Sequence, residues 1–167
     1  ATAIGAGVAR ARGDIIIGMD ADGNHDPEHI PSLLRALSTA DLVVGSRFIH
    51  GGGMHDRTRY ILSWIFNAVL RYALSFPIWD NTSGYYAIRA QVLRRMKPGR
   101  IYVGYGDYHL RLVYAAKISG LRIREVPVRY KNRQYGQSKS QLLRMAVSYL
   151  HTAINLCSGM RSKTICV

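Results

Sequence analysis

The chain has 167 residues, enough for one domain with a substantial core. Hydrophobic residues make up 48% and charged residues 20%, which excludes wholesale disorder. Its charge is lopsided: 23 Lys and Arg against 10 Asp and Glu give a formal +13, a balance that calls for nucleic acid, lipid headgroups or phosphorylated substrates as partners.

Ala1–Arg12 carries small and apolar residues at helical spacing and stops at Gly13. It has no basic segment of a secretory leader, so none is expected. Ile15–Met19 is a continuous apolar run between Asp14 and Asp20, the pattern of a strand buried on both faces. Asp26-Pro27-Glu28 is a helix start, with Asp as N-cap, Pro at the first helical position and an acid in the first turn. Pro31 moves that start a few residues on. Ile30, Leu33, Leu34 and Leu37 then face the core, with a stop near Ser38.

Leu42–Gly45 reads as a second strand with Ser46 and Arg47 at its carboxyl end, and Gly51-Gly52-Gly53 as a hinge. A long helix is predicted from about Arg57 to Leu74. Its stripe Ile61, Trp64, Ile65, Ala68 and Tyr72 is either helix core or an interfacial face flanked by Arg57, Arg59 and Arg71. Asn67, Arg71 and Pro77 interrupt the apolar stretch Ile61–Trp79, so it falls short of the run of about 20 residues that a spanning helix needs.

After the turn Asp80–Gly84 come a strand, Tyr85–Arg89, a helix, Asp107–Ser119, closed by Gly120, and a strand, Leu121–Val128. The last helix runs from about Ser138 to Leu156, with Leu142, Met145, Ala146, Tyr149, Ala153 and Leu156 on one face. Alternating strands and helices predict an α/β fold with a mostly parallel core sheet. The domain reading is a catalytic portion over residues 1–137 and an amphipathic helix and tail over 138–167. Cys157 and Cys166 lack C-x-x-C spacing and read as free thiols, with a disulfide as the lesser alternative.

The informative chemistry lies in Asp20-Ala21-Asp22, where a strand drives into two carboxylates. Two carboxylates about 4 Å apart repel by roughly 4 kcal/mol at an effective dielectric near 20. A cation relieves that repulsion, as does good solvation of both groups, and hard oxygen ligands suit Mg²⁺ or Mn²⁺ held jointly with substrate phosphates. Asp20, Asp22 and Arg47 all fall at carboxyl ends of strands, where α/β sheets bind ligands. Turn chemistry is the alternative for the two aspartates, and a solvated face or structural ion pair is the alternative for each arginine. Ser83-Gly84 is either a tight turn or a substrate contact.

Five blocks occur in order: Asp20-Ala21-Asp22; Gly45-Ser46-Arg47; Arg59 with Ser63; Thr82-Ser83-Gly84-Tyr85-Tyr86; and Glu125-Val126-Pro127-Val128 leading to Arg133 and Gly136-Gln137-Ser138-Lys139. The set resembles the family 2 glycosyltransferases, and within them the polyprenyl-phosphate enzymes of the dolichyl-phosphate mannosyltransferase type. The resemblance implies the C-terminal portion of a GT-A (Rossmann-like) domain, because the family's opening nucleotide-binding elements have no counterpart before Ala1.

It also implies a nucleotide-diphospho-sugar donor (GDP-mannose or UDP-glucose), a divalent cation, Mg²⁺ or Mn²⁺, and a polyprenyl-phosphate acceptor on the cytoplasmic face of a membrane. Asp20 and Asp22 would serve the donor, with Asp22 and the amide of Asn24 as metal ligands. Arg47, Arg59, Ser63, Arg133 and Lys139 would gather the acceptor phosphate. Asp107 stands where much of the family has a glutamate, and is expected to touch the acceptor or a sugar hydroxyl, with a weaker case as base.

The chemistry agrees with that resemblance. A phosphate monoester with a second pKa near 6 is already nucleophilic at neutral pH. It needs charge neutralisation and aim rather than a strong base, and arginine forks supply both. One direct displacement inverts the anomeric centre. Against this stand a non-catalytic anion-binding module for nucleic acid or acidic membrane, which the +13 charge permits, and an inactive fragment. The basic residues are dispersed and no nucleic-acid motif occurs, so nucleic acid is not the expected partner. A polysaccharide-building relative would carry a Gln-x-x-Arg-Trp block, which is absent. The histidines, His25, His29, His50, His55, His109 and His151, read as ordinary surface residues.

Overall fold

The computed structural model describes residues 2–104, 106–131 and 142–161, the side chains of 142–146, 157 and 159–161 excepted. Arg133 and Lys139, and the side chains of Leu142, Met145 and Ala146, therefore lie outside the described residues.

The elements run α1 (Thr2–Arg10), β1 (Ile15–Gly18), a 3₁₀ turn (Pro27–His29), α2 (Ile30–Ala36), β2 (Leu42–Ser46), β3 (Gly53–Met54), α3 (Arg57–Leu74), β4 (Tyr86–Arg89), α4 (Ala90–Arg95), α5 (Pro98–Ile101), α6 (Tyr108–Ile118), β5 (Ile123–Pro127), β6 (Arg129–Tyr130) and α7 (Leu142–Arg161). The main sheet has the order β1-β4-β2-β5. β1, β2 and β5 point the same way; β4 runs against both neighbours, so only the β2–β5 ladder is parallel. β3 and β6 form a small parallel pair beside it.

Strand alternation builds a core on each face of the sheet. Leu42, Val44, Tyr86 and Ile88 point into the larger core, with Leu70 and Leu74 of α3, Leu112 and Val113 of α6 and Tyr149 and Leu156 of α7. Val43, Tyr85 and Ala87 point the other way, onto Leu33 and Leu37 of α2 and Val128 and Tyr130. Leu34 is turned outward, since its position falls off that buried stripe.

β1 departs from its expected burial on both faces. It is an edge strand, hydrogen-bonded to β4 alone among the described residues, and only Ile16 is buried. The Tyr86 ring crosses it at Gly18, where an added Cβ would collide with the ring. α3 starts with the Asp56 carboxylate accepting the Arg59 N–H at 3.0 Å. It ends at Ser75, in the left-handed region at φ 51°.

Candidate active site

At the carboxyl end of β1 the chain enters a tight loop. The Asp22 Oδ1 accepts the Asn24 N–H at 3.0 Å, and Gly23 takes φ 78°. The Asp26 Oδ1 then caps the 3₁₀ turn through the Glu28 N–H at 3.2 Å. Two contacts from distant elements hold this loop. The Tyr85 hydroxyl donates to the Asp26 carbonyl at 2.8 Å, and the Lys131 N–H donates to the Asn24 carbonyl at 3.1 Å.

The loop borders a cleft of about 310 Å³ lined by Met19, Asp20, Ala21, Gly23, His25, Asp26, Pro27 and Lys131. Asp20 offers it a carboxylate that is 49% exposed. Asp22 stands beside the cleft, with one oxygen turned to the Asn24 amide. The basic side chain on the cleft is Lys131, whose Nζ lies 2.6 Å from the Asp26 Oδ2. That hydrogen bond, with a second from the Glu28 amide, holds the Asp26 carboxyl below its ordinary range. The sequence reading took Asp26 only as a cap and did not single out Lys131, which follows a strand edge with no motif of its own.

His25 corrects the expectation of a surface histidine: it is 1% exposed. Its ring stacks on Tyr85 (centroids 4.8 Å, 10°) and meets Tyr130 edge-on at 4.6 Å. Nδ1 accepts the Asp20 N–H at 2.8 Å, while Nε2 lies 4.0 Å from the Asp20 Oδ2 and has no hydrogen-bond partner. Burial lowers the imidazole pKa, against the opposing pull of the Asp20 carboxylate. His109 is likewise buried, its pKa pushed down to about 4 by desolvation.

Arg47 does not line the cleft. Its guanidinium is buried against Asp80, with Nε to Oδ2 and Nη2 to Oδ1 both at 2.7 Å, and Nη2 also donates to the Thr82 Oγ1 at 3.0 Å. The structural ion pair, one of the two sequence readings, is the one the fold adopts. Desolvation alone would lower the arginine's pKa; the Asp80 carboxylate more than offsets it and raises it. The 79–82 turn is braced from two sides. The Glu125 carboxylate accepts the Trp79 and Asp80 amides, each at 3.0 Å, and the Asn67 side chain bridges the Asn81 N–H at 2.7 Å and the Thr82 hydroxyl at 2.9 Å. Burial raises the Glu125 pKa against these hydrogen bonds. Ser83 is a brace too: its hydroxyl donates to the Gly45 carbonyl, and the Tyr130 hydroxyl donates to the Ser83 carbonyl at 2.6 Å.

Asp107, expected to touch the acceptor or a sugar hydroxyl, is buried and absent from the cleft lining. Its Oδ2 accepts from Arg111 Nη2 at 2.8 Å and from the Thr152 hydroxyl, tying α6 to α7. Burial works to raise its pKa, but the Thr152 and Arg111 hydrogen bonds prevail and lower it. A carboxylate closed off by an arginine and a hydroxyl is a poor base. Arg59 and Ser63 lie half-buried on α3, outside the cleft lining, and the Ser63 carbonyl takes the Asn67 side-chain amide at 2.8 Å.

A family model for glycosyl transferase family 2 matches residues 1–97. The chain belongs to that family. It is 40% identical over 129 residues to the undecaprenyl-phosphate mannosyltransferase of Micrococcus luteus, and 34% identical over 128 residues to the polyprenol monophosphomannose synthase of Mycolicibacterium smegmatis. Each alignment takes in 75% of this chain, and 53% and 48% of the respective relative, so the chain spans about half the length of these curated relatives.

Among solved structures, the glucosyl-3-phosphoglycerate synthase of Mycobacterium tuberculosis, determined with Mn²⁺, UDP-glucose and phosphoglyceric acid, superposes with a TM-score of 0.68 at 21% identity. That match covers 93% of this chain and 54% of the synthase. The shared architecture is the GT-A glycosyltransferase fold.

No group of three or more His, Cys, Asp or Glu positioned to hold a metal occurs among the described residues. Asp20 lines the open cleft and Asp22 follows two residues on; a hard cation held there would complete its shell from substrate phosphates and water.

Proposed function

We propose that this protein transfers a sugar, mannose or glucose, from a nucleotide-diphospho-sugar to a polyprenyl phosphate at a membrane surface on its cytoplasmic side. The observation that carries this is the Asp20–Asp22 loop at the end of β1, opening on a cleft, in a chain 40% identical to an undecaprenyl-phosphate mannosyltransferase.

Asp20 and Asp22, with Asn24 adjoining, would hold Mg²⁺ or Mn²⁺, which supplies charge stabilisation for the departing diphosphate. The protein's own part is positioning. Asp20 presents an exposed carboxylate to the cleft, which the Lys131–Asp26 ion pair also lines. Arg47 acts indirectly: locked to Asp80, it fixes the 79–82 turn at the end of β2. The acceptor phosphate falls to Arg59 and Ser63 on α3, with Arg133 and Lys139 outside the described residues. Its dianionic oxygen bonds to the anomeric carbon as the bond to the nucleoside diphosphate breaks, with inversion and without a general base.

The membrane surface is supported by an apolar face shared by two packed helices. Phe66 of α3 meets Tyr149 of α7 edge-on at 5.8 Å. Beside this contact Leu62, Ile65, Val69 and Tyr72 of α3, and Leu150 and Ile154 of α7, are 46–77% exposed. Such a face on a basic protein suits an anionic bilayer interface. No helix of the described residues is long and apolar enough to cross a membrane.

The test is lipid-linked sugar formation by the full-length protein from GDP-mannose or UDP-glucose and a polyprenyl phosphate, with Mg²⁺ or Mn²⁺ and with chelator. A metal-dependent product lost in Asp22→Ala is expected. Full activity in that variant, or no product with either donor, contradicts the proposal.

A further inference from the structure

We propose that His25 is a positioning residue that locks the Asp20–Asp22 loop through the Asp20 backbone. The inference rests on the reading of that loop as the donor site.

Four observations converge on this histidine. The Asp20 amide donates to Nδ1 at 2.8 Å, which leaves Nδ1 unprotonated and puts the ring proton on Nε2. Nε2 is completely buried and unpartnered, with the Asp20 Oδ2 4.0 Å away. The ring is held between Tyr85, on which it stacks, and Tyr130, which it meets edge-on. Tyr85 in turn holds the Asp26 carbonyl, so the residue after His25 is pinned by the same wall.

One imidazole thus addresses both ends of Asp20: the backbone directly, and the carboxylate from just beyond hydrogen-bonding distance. With the Asp20 amide fixed, Asp22 two residues on inherits its position, and its Oδ1 is held by the Asn24 N–H. Losing a hydrogen bond that orients a metal-binding residue weakens metal binding about 10–100-fold. The Asp20 amide bond to Nδ1 is that contact; Nε2, 4.0 Å from the Asp20 Oδ2, lies beyond hydrogen-bonding distance.

Two variants separate this role from packing. His25→Phe keeps a flat ring against Tyr85 but has no acceptor for the Asp20 amide. His25→Asn places a side-chain oxygen near the position of Nδ1. In the whole protein, hydrogen exchange at the Asp20 amide is expected to be slow in the wild type and in His25→Asn, and fast in His25→Phe. The wild-type ¹⁵N shifts of His25 should report a protonated Nε2 and a bare Nδ1. Mn²⁺ affinity measured with nucleoside diphosphate should fall at least tenfold in His25→Phe and less in His25→Asn. Equal Asp20 protection in all three proteins, or a proton on Nδ1, overturns the proposal. A wild type that binds no Mn²⁺ overturns the donor-site reading instead, and the exchange and ¹⁵N results then decide the role of His25 by themselves.

Discussion

Arg47 and Asp80 form a two-point ion pair inside the protein, with both nitrogen–oxygen distances at 2.7 Å and a third contact from the Arg47 amide to the Asp80 Oδ2 at 3.0 Å. This pair joins the end of β2 to the turn before β4. Its members are 33 residues apart, so no local pattern in the sequence announces it.

Removing one partner of such a pair leaves a buried, uncompensated charge, at a cost of about 3–5 kcal/mol. Arg47→Met and Asp80→Ala are each expected to lower the melting temperature by roughly 6–20 °C, and the double variant by less than the sum of the two. Thermal melts of the three variants check this. Single variants within a degree or two of wild type would assign the pair no structural weight.

Asp107 gives the stability a defined acid dependence. Its folded pKa lies below the ordinary carboxylate value of 3.8, so its contribution is present above that value and is lost as the pH falls through the lower, folded one. The stability gap between wild type and Asp107→Asn, read from denaturant melts, is expected to be constant near neutrality. It should shrink only at acidic pH, below about 4. A gap unchanged down to the acid limit would mean that the contacts to Arg111 and Thr152 need no charge.

The exposed face of α3 and α7 is expected to bind vesicles of mixed neutral and anionic phospholipid. Withdrawing one large aliphatic side chain from water contributes about 1.5–3 kcal/mol. The pair Leu62→Glu and Val69→Glu should therefore weaken vesicle binding more than tenfold, while leaving the melting temperature nearly unchanged because both residues are exposed. Co-sedimentation measures this, and unchanged binding by the double variant would remove the face from the membrane contact.

Much of the frame was legible in the sequence. The apolar run ending at Asp20, the Asp26-Pro27 start and the spans of α3 and α6 follow from periodicity and capping, which are local. Strand direction was not legible, because a strand of four residues such as β4 reads alike in either orientation. α4 and α5, of six and four residues, are too short for a helical period to declare itself, and β3 and β6 are two-residue pairs.

The site divides the same way. Asp20 and Asp22 were readable as adjacent carboxylates. The burial of His25 depends on Tyr85 and Tyr130, two rings brought in from distant segments, and its role could not be seen before they were in place. The partners of Arg47 and Asp107 were not legible for one physical reason: each meets an opposite charge that the fold brings to it.

The central claim is that the Asp20–Asp22 loop holds a cation jointly with a diphosphate. Its most direct measurement is a Mn²⁺ titration of the protein with and without nucleoside diphosphate, in the wild type and in Asp22→Asn. Binding that tightens strongly when the diphosphate is present, and is lost in Asp22→Asn, is the predicted result. Nucleotide binding indifferent to Mn²⁺, or unchanged in Asp22→Asn, would contradict it.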